Sequence, residues 1–246
     1  MGHFDTAGVF DADYLYFYED ILPDSRSDAE TEFLTRVLAI EPGMRVLDLA
    51  CGHGRIANRL AARGCTVSGL DATALFLDLA RRDAAARGVA VEYVEGDMRD
   101  LPWRDRFDRM ILWFTAFGYF DDDGNRSVLS GMAKALRPGG RLLIDMNSHD
   151  WLVRTLRPDR VFQRGSDLMI DRSELHPLSG RIQTERILVR DGRLRRTSFS
   201  VRLFTYTELR DWLLAAGLTE VEGLDEDGGP FTRDSHRLIV TARRPL

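Results

Sequence analysis

Cysteine is nearly absent: Cys51 and Cys65 are the whole complement, and neither sits at a metal-ligand spacing. Two such thiols predict reduced side chains rather than a disulfide framework or a zinc site. Lysine is scarcer still, with Lys134 the only one, and the formal net charge is −5. Phosphate backbones are held by clustered Lys and Arg, so the missing basic stripe excludes nucleic acid and the membrane surface as partners. No apolar run approaches the roughly 20 residues that a bilayer span needs. Met1–Asp13 has no basic flank followed by an apolar core, so it is not read as a secretory signal, and a cytoplasmic location is expected. His3, His176 and His236 are scattered without metal spacing, so no metal is expected.

What remains is a chain of 246 residues with the balance of a globular protein, 44% hydrophobic and 30% charged. From 45 to about 147, apolar runs alternate with amphipathic stretches. Arg45–Leu49, Thr66–Leu70, Val91–Val94, Arg109–Phe114 and Arg141–Met146 read as strands. Ile56–Ala62, Thr73–Arg87 and Asn125–Leu136 read as the helices between them, with Pro138-Gly139-Gly140 ending the last. This alternation predicts βαβ units and a parallel sheet. From Arg160 to Thr205 the pattern becomes that of alternating strands, Leu168–Asp171, Ile182–Val189 and Ser198–Leu203, with Asp191-Gly192 as a hairpin turn. A helix at Thr207–Ala216 and strands at Thr219–Glu222 and Arg237–Ala242 close the chain. The expected fold is α/β: a Rossmann-like doubly wound sheet, mostly parallel with an antiparallel closing strand, carrying an antiparallel β cap insert. The expected division is an N-terminal helical lid over 1–44, the sheet domain over 45–156 and 206–246, and the cap over 157–205.

Val46-Leu47-Asp48-Leu49-Ala50-Cys51-Gly52-His53-Gly54-Arg55 is the sharpest stretch. A strand enters a turn whose glycines permit close backbone approach to a ligand, and a helix follows. Gly52, Gly54 and Ala57 satisfy the G-x-G-x-x-G/A pattern of dinucleotide sites. Asp48, at the strand end, can reach a ligand ammonium or cap the turn's own amides. Asp71 closes the second strand, where a carboxylate can accept from both ribose hydroxyls of an adenosine or cap the following helix. Glu95-Gly96-Asp97-Met98 follows the third strand and offers an acid and an apolar face to an adenine, or forms a polar turn.

These stretches, with FDRMILWFTAF at 107–117 and LRPGGRLLID at 136–145, resemble the class I S-adenosylmethionine-dependent methyltransferases. The resemblance implies S-adenosylmethionine as cofactor and S-adenosylhomocysteine as product. It implies Ala50, Gly52, Gly54 and Arg55 around the methionine part, Asp71 and Ala72 at the ribose, Asp97 and Met98 at adenine, and Trp113 and Phe114 beside the sulfonium. DYLYFY at 13–18, CGHGRIANRLA at 51–61 and WFTAFGYF at 113–120 are similar to actinobacterial natural-product N-methyltransferases of the lincosamide type. The function this implies is methyl transfer to an amine nitrogen of a small natural product.

Tyr14 and Tyr18 are four apart, share a helix face and could close over the methionine carboxylate. Phe117 and Phe120 are placed in the acceptor pocket, whereas Tyr119 is expected to pack into the core. An amine supplies its own lone pair, so positioning suffices. A hydroxyl acceptor would require a base, and His149 after the fifth strand is the candidate, its alternative role being a helix-turn residue. Asp121-Asp122-Asp123-Gly124-Asn125 lacks the spacing of a calcium loop and reads as a helix cap. An O-methyltransferase using His149, a nicotinamide-dependent oxidoreductase and a non-catalytic cofactor-binding module are the alternatives. A homo-oligomer pairing through Leu203–Tyr206 or the insert strands is also expected to be feasible.

Overall fold

The computed structural model describes residues 5–246, so His3 and the first residues of the expected lid lie outside the described residues. Two short helices come first, α1 (Thr6–Val9) and α2 (Ala12–Tyr18). The carboxylates of Asp5 and Asp11 accept from the Gly8 and Tyr14 N–H groups and satisfy amides that lack intrahelical partners. A longer helix, α3 (Asp24–Val37), buries Ser27, Thr31 and Leu34. Two of those three are polar, with Thr31 returning its hydroxyl to the Ser27 carbonyl at 2.7 Å, so hydrophobic periodicity gives little sign of this helix.

The expected alternation follows: β1 (Arg45–Leu49), α4 (Ala57–Ala62), β2 (Thr66–Asp71), α5 (Ala74–Ala86), β3 (Val91–Glu95), β4 (Phe107–Leu112), α6 (Asp122–Ala135) and β5 (Leu136–Asn147). Asp121 caps α6 by accepting from the Gly124 N–H at 2.8 Å. Pro138-Gly139-Gly140 does not sit between helix and strand. It forms a bulge inside β5, where Phe107 faces Leu136 but Arg109 already faces Arg141.

After α7 (His149–Thr155) the chain builds a separate antiparallel sheet of four strands, β6 (Asp159–Arg164), β7 (Asp167–His176), β8 (Arg181–Arg190) and β9 (Arg193–Arg202). Between the paired Arg190 and Arg193, Asp191 and Gly192 have φ of 50° and 71°, the left-handed pair that a two-residue hairpin requires. Strand β6 escapes sequence reading because it is an edge strand with little burial. Leu203 and Phe204 are buried within the chain. The last elements are α8 (Tyr206–Ala215), β10 (Thr219–Leu224) and β11 (Arg237–Arg243).

The main sheet has seven strands in the order β10-β11-β5-β4-β1-β2-β3. All neighbours from β5 to β3 pair in parallel, and β11 is antiparallel to both β5 and β10. The strand order reverses at β1 and β4, and open α/β sheets bind ligands beyond the carboxyl ends of the strands at such a point. The second sheet is anchored there, the Arg202 N–H and the Arg181 guanidinium both reaching the Gly118 carbonyl, at 2.8 and 3.0 Å. The N-terminal helices dock on it in turn. Phe17 packs against Met169 and Leu188, and Arg195 and Arg190 pair with Asp11 and Asp13. No helix among the described residues is long and apolar enough to cross a membrane.

Candidate functional site

A cavity of about 940 Å³ opens at the carboxyl ends of β1 to β5, between the main sheet, the N-terminal helices and the inner face of the second sheet. Its floor is the turn after β1. Ala50, Gly52 and Gly54 have φ of 55°, 55° and 79°, so the turn holds three left-handed residues within five positions. A Cβ on Gly52 would meet only Phe76, at 3.9 Å, leaving its backbone open to the cavity. Gly54 serves packing instead, since a Cβ there would come within 2.3 Å of the Tyr93 hydroxyl and 2.8 Å of Ala80. It lets the turn press against α5 and β3 and is not part of the cavity wall.

Two carboxylates support this floor. Asp71 accepts from the Gly52 N–H at 2.8 Å and the Thr73 N–H at 2.9 Å, one on each oxygen. Burial raises its pKa against the hydrogen bonds from Gly52, Thr73 and Ala72, and the residue lines the cavity. Asp48 is 3% exposed; burial, and then the neighbouring Asp71, push its carboxyl up to about 7, while Arg55 and the Ala57 N–H pull the other way. No described residue forms an ion pair with Asp48, which leaves it available to a cation in the cavity. His53 lines the floor as well, and burial followed by Arg55 pushes its pKa down.

At the β3 end the wall is Gly96, Asp97, Met98 and Arg99. The Arg99 guanidinium bonds both Asp97 oxygens at 3.0 Å from Nε and lies 4.3 Å above the Phe120 ring. Phe120 therefore belongs beside Asp97 and Met98.

The β4 end carries Trp113, Phe114 and Thr115. Phe114 and Thr115 have φ of 65° and 58°, consecutive left-handed residues that are not glycine. Such backbone persists only where the surroundings over-determine it. Asp145, 2% exposed at the end of β5, does this: its carboxylate accepts from the Phe114 N–H at 2.8 Å and its carbonyl from the Thr115 N–H at 3.2 Å. Arg237 on β11 completes the brace, bonding both Asp145 oxygens, Asn147 Oδ1 at 2.6 Å and Thr115 Oγ1 at 2.7 Å. Phe114 is thereby presented to the cavity with the Arg26 and Arg55 guanidiniums 5.4 and 5.2 Å from its ring. Glu30 on α3 gathers Arg55, Arg26 and the Trp113 indole N–H, the last two at 2.9 and 3.0 Å. Burial alone would raise its pKa; those donors outweigh burial and lower it.

The roof is aromatic. Tyr14 and Tyr18 stack at 4.2 Å between centroids, and Phe10 meets Tyr14 and Tyr119 edge-on at 5.2 and 5.6 Å. Burial raises the pKa of Tyr14 and of Tyr119, so both phenols stay protonated in the neutral range.

The structure thus brings Tyr14, Tyr18, Asp48, Ala50, Gly52, Arg55, Asp71, Ala72, Asp97, Met98, Trp113, Phe114 and Phe120 to one cavity. Three expected residues are elsewhere. Gly54 is a packing glycine. Phe117 is 1% exposed and packs on Phe204 with ring centroids 5.3 Å apart, because the left-handed Phe114-Thr115 pair ends the strand alternation and turns Phe117 into the core. His149 lies outside the cavity wall at the start of α7, its Nδ1 3.0 Å from its neighbour Asp150. Tyr119, expected in the core, is in the wall instead. Arg26, Asn147 and Arg237 join the wall without having been expected there, and so does the bracing role of Asp145. That acid carries a readable signal, since it ends a continuously apolar strand as Asp48 does.

Comparison with known proteins agrees with this geometry. Residues 46–140 match the family described as a methyltransferase domain. The cypemycin N-terminal methyltransferase of Streptomyces sp. is 31% identical over 209 residues, which span 82% of this chain and 84% of that one. Among solved structures, the CcbJ methyltransferase from Streptomyces caelestis superposes with a TM-score of 0.80 at 21% identity, covering 98% of this chain and 100% of that one. CalS10, an amino pentose methyltransferase from Micromonospora echinaspora solved with S-adenosylmethionine bound, gives a TM-score of 0.68 at 21% identity over 97% and 99% of the two chains. The strand order, the acid-supported glycine turn and a relative matched over more than four fifths of both chains together make this chain a member of the S-adenosylmethionine-dependent methyltransferases.

Proposed function

We propose that the chain methylates an amine nitrogen of a small-molecule natural product, and that it does so by positioning rather than with a base. The fit to the cofactor rests on Asp48, a buried carboxylate with no ion-pair partner among the described residues, set beside an open glycine backbone. On this reading Asp48, Ala50, Gly52 and Arg55 hold the methionine part, with Tyr14 and Tyr18 above it. Asp71 and Ala72 hold the ribose, and Asp97, Met98 and Phe120 the adenine. When bound, S-adenosylmethionine supplies an electrophilic methyl group on a sulfonium.

The chain's own part follows from its residues. Phe114 and the phenols of the roof present aromatic faces, which suit a partial positive charge. Residues 1–44 act as a lid and 157–205 as a cap, excluding water from the reacting centre. The observation that carries the choice of nitrogen is the placing of bases. His149 is outside the cavity, His53 belongs to the cofactor floor with a lowered pKa, and Tyr14 and Tyr119 hold their protons. A neutral amine needs none of them: its lone pair would form the new bond to carbon as the carbon–sulfur bond breaks and leaves its electron pair on sulfur, and the product ammonium would lose its proton to solvent. The relatives point the same way, one acting at an N-terminus and another on an amino pentose by their names.

The test is transfer of labelled methyl from S-adenosylmethionine to a panel of primary and secondary amines and of phenols. Label in amines, with a rate that rises as the acceptor deprotonates and is unchanged in His149→Ala, is the expected result. Label in phenols alone, lost in His149→Ala, overturns it.

A further inference from the structure

A sheet that served only to shelter the reaction would turn an apolar face to the cavity. This one does not. Met169 and Leu188 at one end pack with Phe17, and Ile182 and Val201 lie at the other. Between them runs a polar stripe made of two directly opposed pairs, Asp171 with Arg186 and Ser173 with Thr184. All four line the cavity. Arg186, 4% exposed, gives Nε and Nη2 to the two Asp171 oxygens, each at 2.7 Å, and its guanidinium carbon sits 5.2 Å from the Phe199 ring centre. Its Nη1 makes no hydrogen bond among the described residues. A buried ion pair is poor value as a stabilising device, since desolvation offsets most of the attraction. A buried guanidinium fixed in plane, with donors unspent toward a ligand cavity, is instead a recognition device.

We propose that Arg186, held by Asp171, docks the methyl acceptor through an uncharged oxygen function (a hydroxyl, ether or carbonyl) carried near the amine that is methylated. This rests on the methyltransferase reading and adds the acceptor class to it. Charge decides between neutral and anionic oxygen. Asp171 already neutralises Arg186, so a carboxylate brought to Nη1 would put two anions against one cation in a desolvated chamber. One further cation stands beside the pair: Arg160, opposite Asp171 on β6, also lines the cavity, but it is exposed and its charge is screened by solvent, whereas the phenols of Tyr14, Tyr18 and Tyr119 lie on the cavity side. Those phenols and the paired Ser173 and Thr184 hydroxyls, 2.9 Å apart, extend the same preference for neutral polar groups.

The test uses the complex with S-adenosylhomocysteine and three probes titrated calorimetrically: cyclohexylamine, trans-2-aminocyclohexanol and trans-2-aminocyclohexanecarboxylate. Wild type is expected to bind the amino alcohol about 10-fold more tightly than the plain amine, the size of effect for one hydrogen bond to a charged group, and the carboxylate no better than the plain amine. Arg186→Lys keeps the charge opposite Asp171 but loses the fork, and is expected to abolish the preference while leaving S-adenosylhomocysteine affinity unchanged. If that variant does not fold, Asp171→Asn with Arg186→Gln replaces the pair by two amides and should show the same loss. Equal binding of amine and amino alcohol, absence of binding by both, a preference for the carboxylate, or a preference that survives in the variants overturns the proposal. Failure of wild type to bind S-adenosylhomocysteine counts against the methyltransferase reading instead.

Discussion

The floor and the roof of the cavity are built on different principles. The floor is made of strand ends and the turns that follow them: Asp48, Gly52, Asp71 and Asp97 each lie within a few residues of a main-sheet strand, and backbone amides hold Asp71 in place. The roof is assembled across long sequence separations, from α2, the segment after β4 and the inward side of β7 to β9. A shared cofactor requires a floor of constant geometry, and this one is locally encoded. Acceptors differ, and the roof changes with any residue on an inward register position.

If that division is right, variants should sort by which half they touch. The largest effect is expected at the brace between them. Asp145→Ala leaves Arg237 without its carboxylate and frees the left-handed Phe114-Thr115 pair. Removing one partner of a buried ion pair costs about 3–5 kcal/mol, to be read from denaturant unfolding, with Asp145→Asn losing less. Next comes Asp48→Asn, which should weaken S-adenosylhomocysteine by roughly 30- to 100-fold, or about 2–3 kcal/mol, the range for hydrogen bonds to charged groups. The same variant should raise the stability of the ligand-free chain. A carboxyl raised from 3.8 to about 7 binds more protons folded than unfolded, so its stability contribution falls as pH climbs through that window. Wild-type stability should decline over that range more steeply than that of Asp48→Asn.

Smaller effects belong to the edges of the roof. Arg195 ties α2 to the cap through Asp11 and Asp13 and is 38% exposed. For an ion pair so open to solvent, Arg195→Gln should speed S-adenosylhomocysteine release by no more than about threefold in stopped-flow displacement, the effect shrinking with added salt. His149→Ala, away from the cavity, should leave affinity and turnover within about twofold, the usual range for a surface substitution. A large loss there would erase the distinction between cavity and surroundings.

The same division explains what could be read from sequence. The floor was legible because βα turns keep ligand groups within a few positions of a strand, so Asp48, Gly52, Asp71 and Asp97 announce themselves by local pattern. The alternation of strands and helices placed the main sheet for the same reason. Phe117 and Tyr119 were exchanged because strand alternation does not extend past β4, where Phe114 and Thr115 turn left-handed and reset which side chains face the cavity. Arg186 and Asp171 could not be recognised as a site from sequence, because their meeting depends on the register of β7 on β8. Strand β6 stayed hidden, and helix α3 was expected only as part of a helical lid without bounds of its own, for want of an apolar stripe.

The central claim is that a buried acid under the glycine turn meets a cationic cofactor, and a calorimetric titration with S-adenosylhomocysteine from pH 5.5 to 8.5 tests it most directly. The account predicts affinity that rises with pH up to about 7 and then levels, with proton release below that point and a flat profile in Asp48→Asn. Affinity that is the same in wild type and Asp48→Asn at every pH, in chains that are folded, would contradict it.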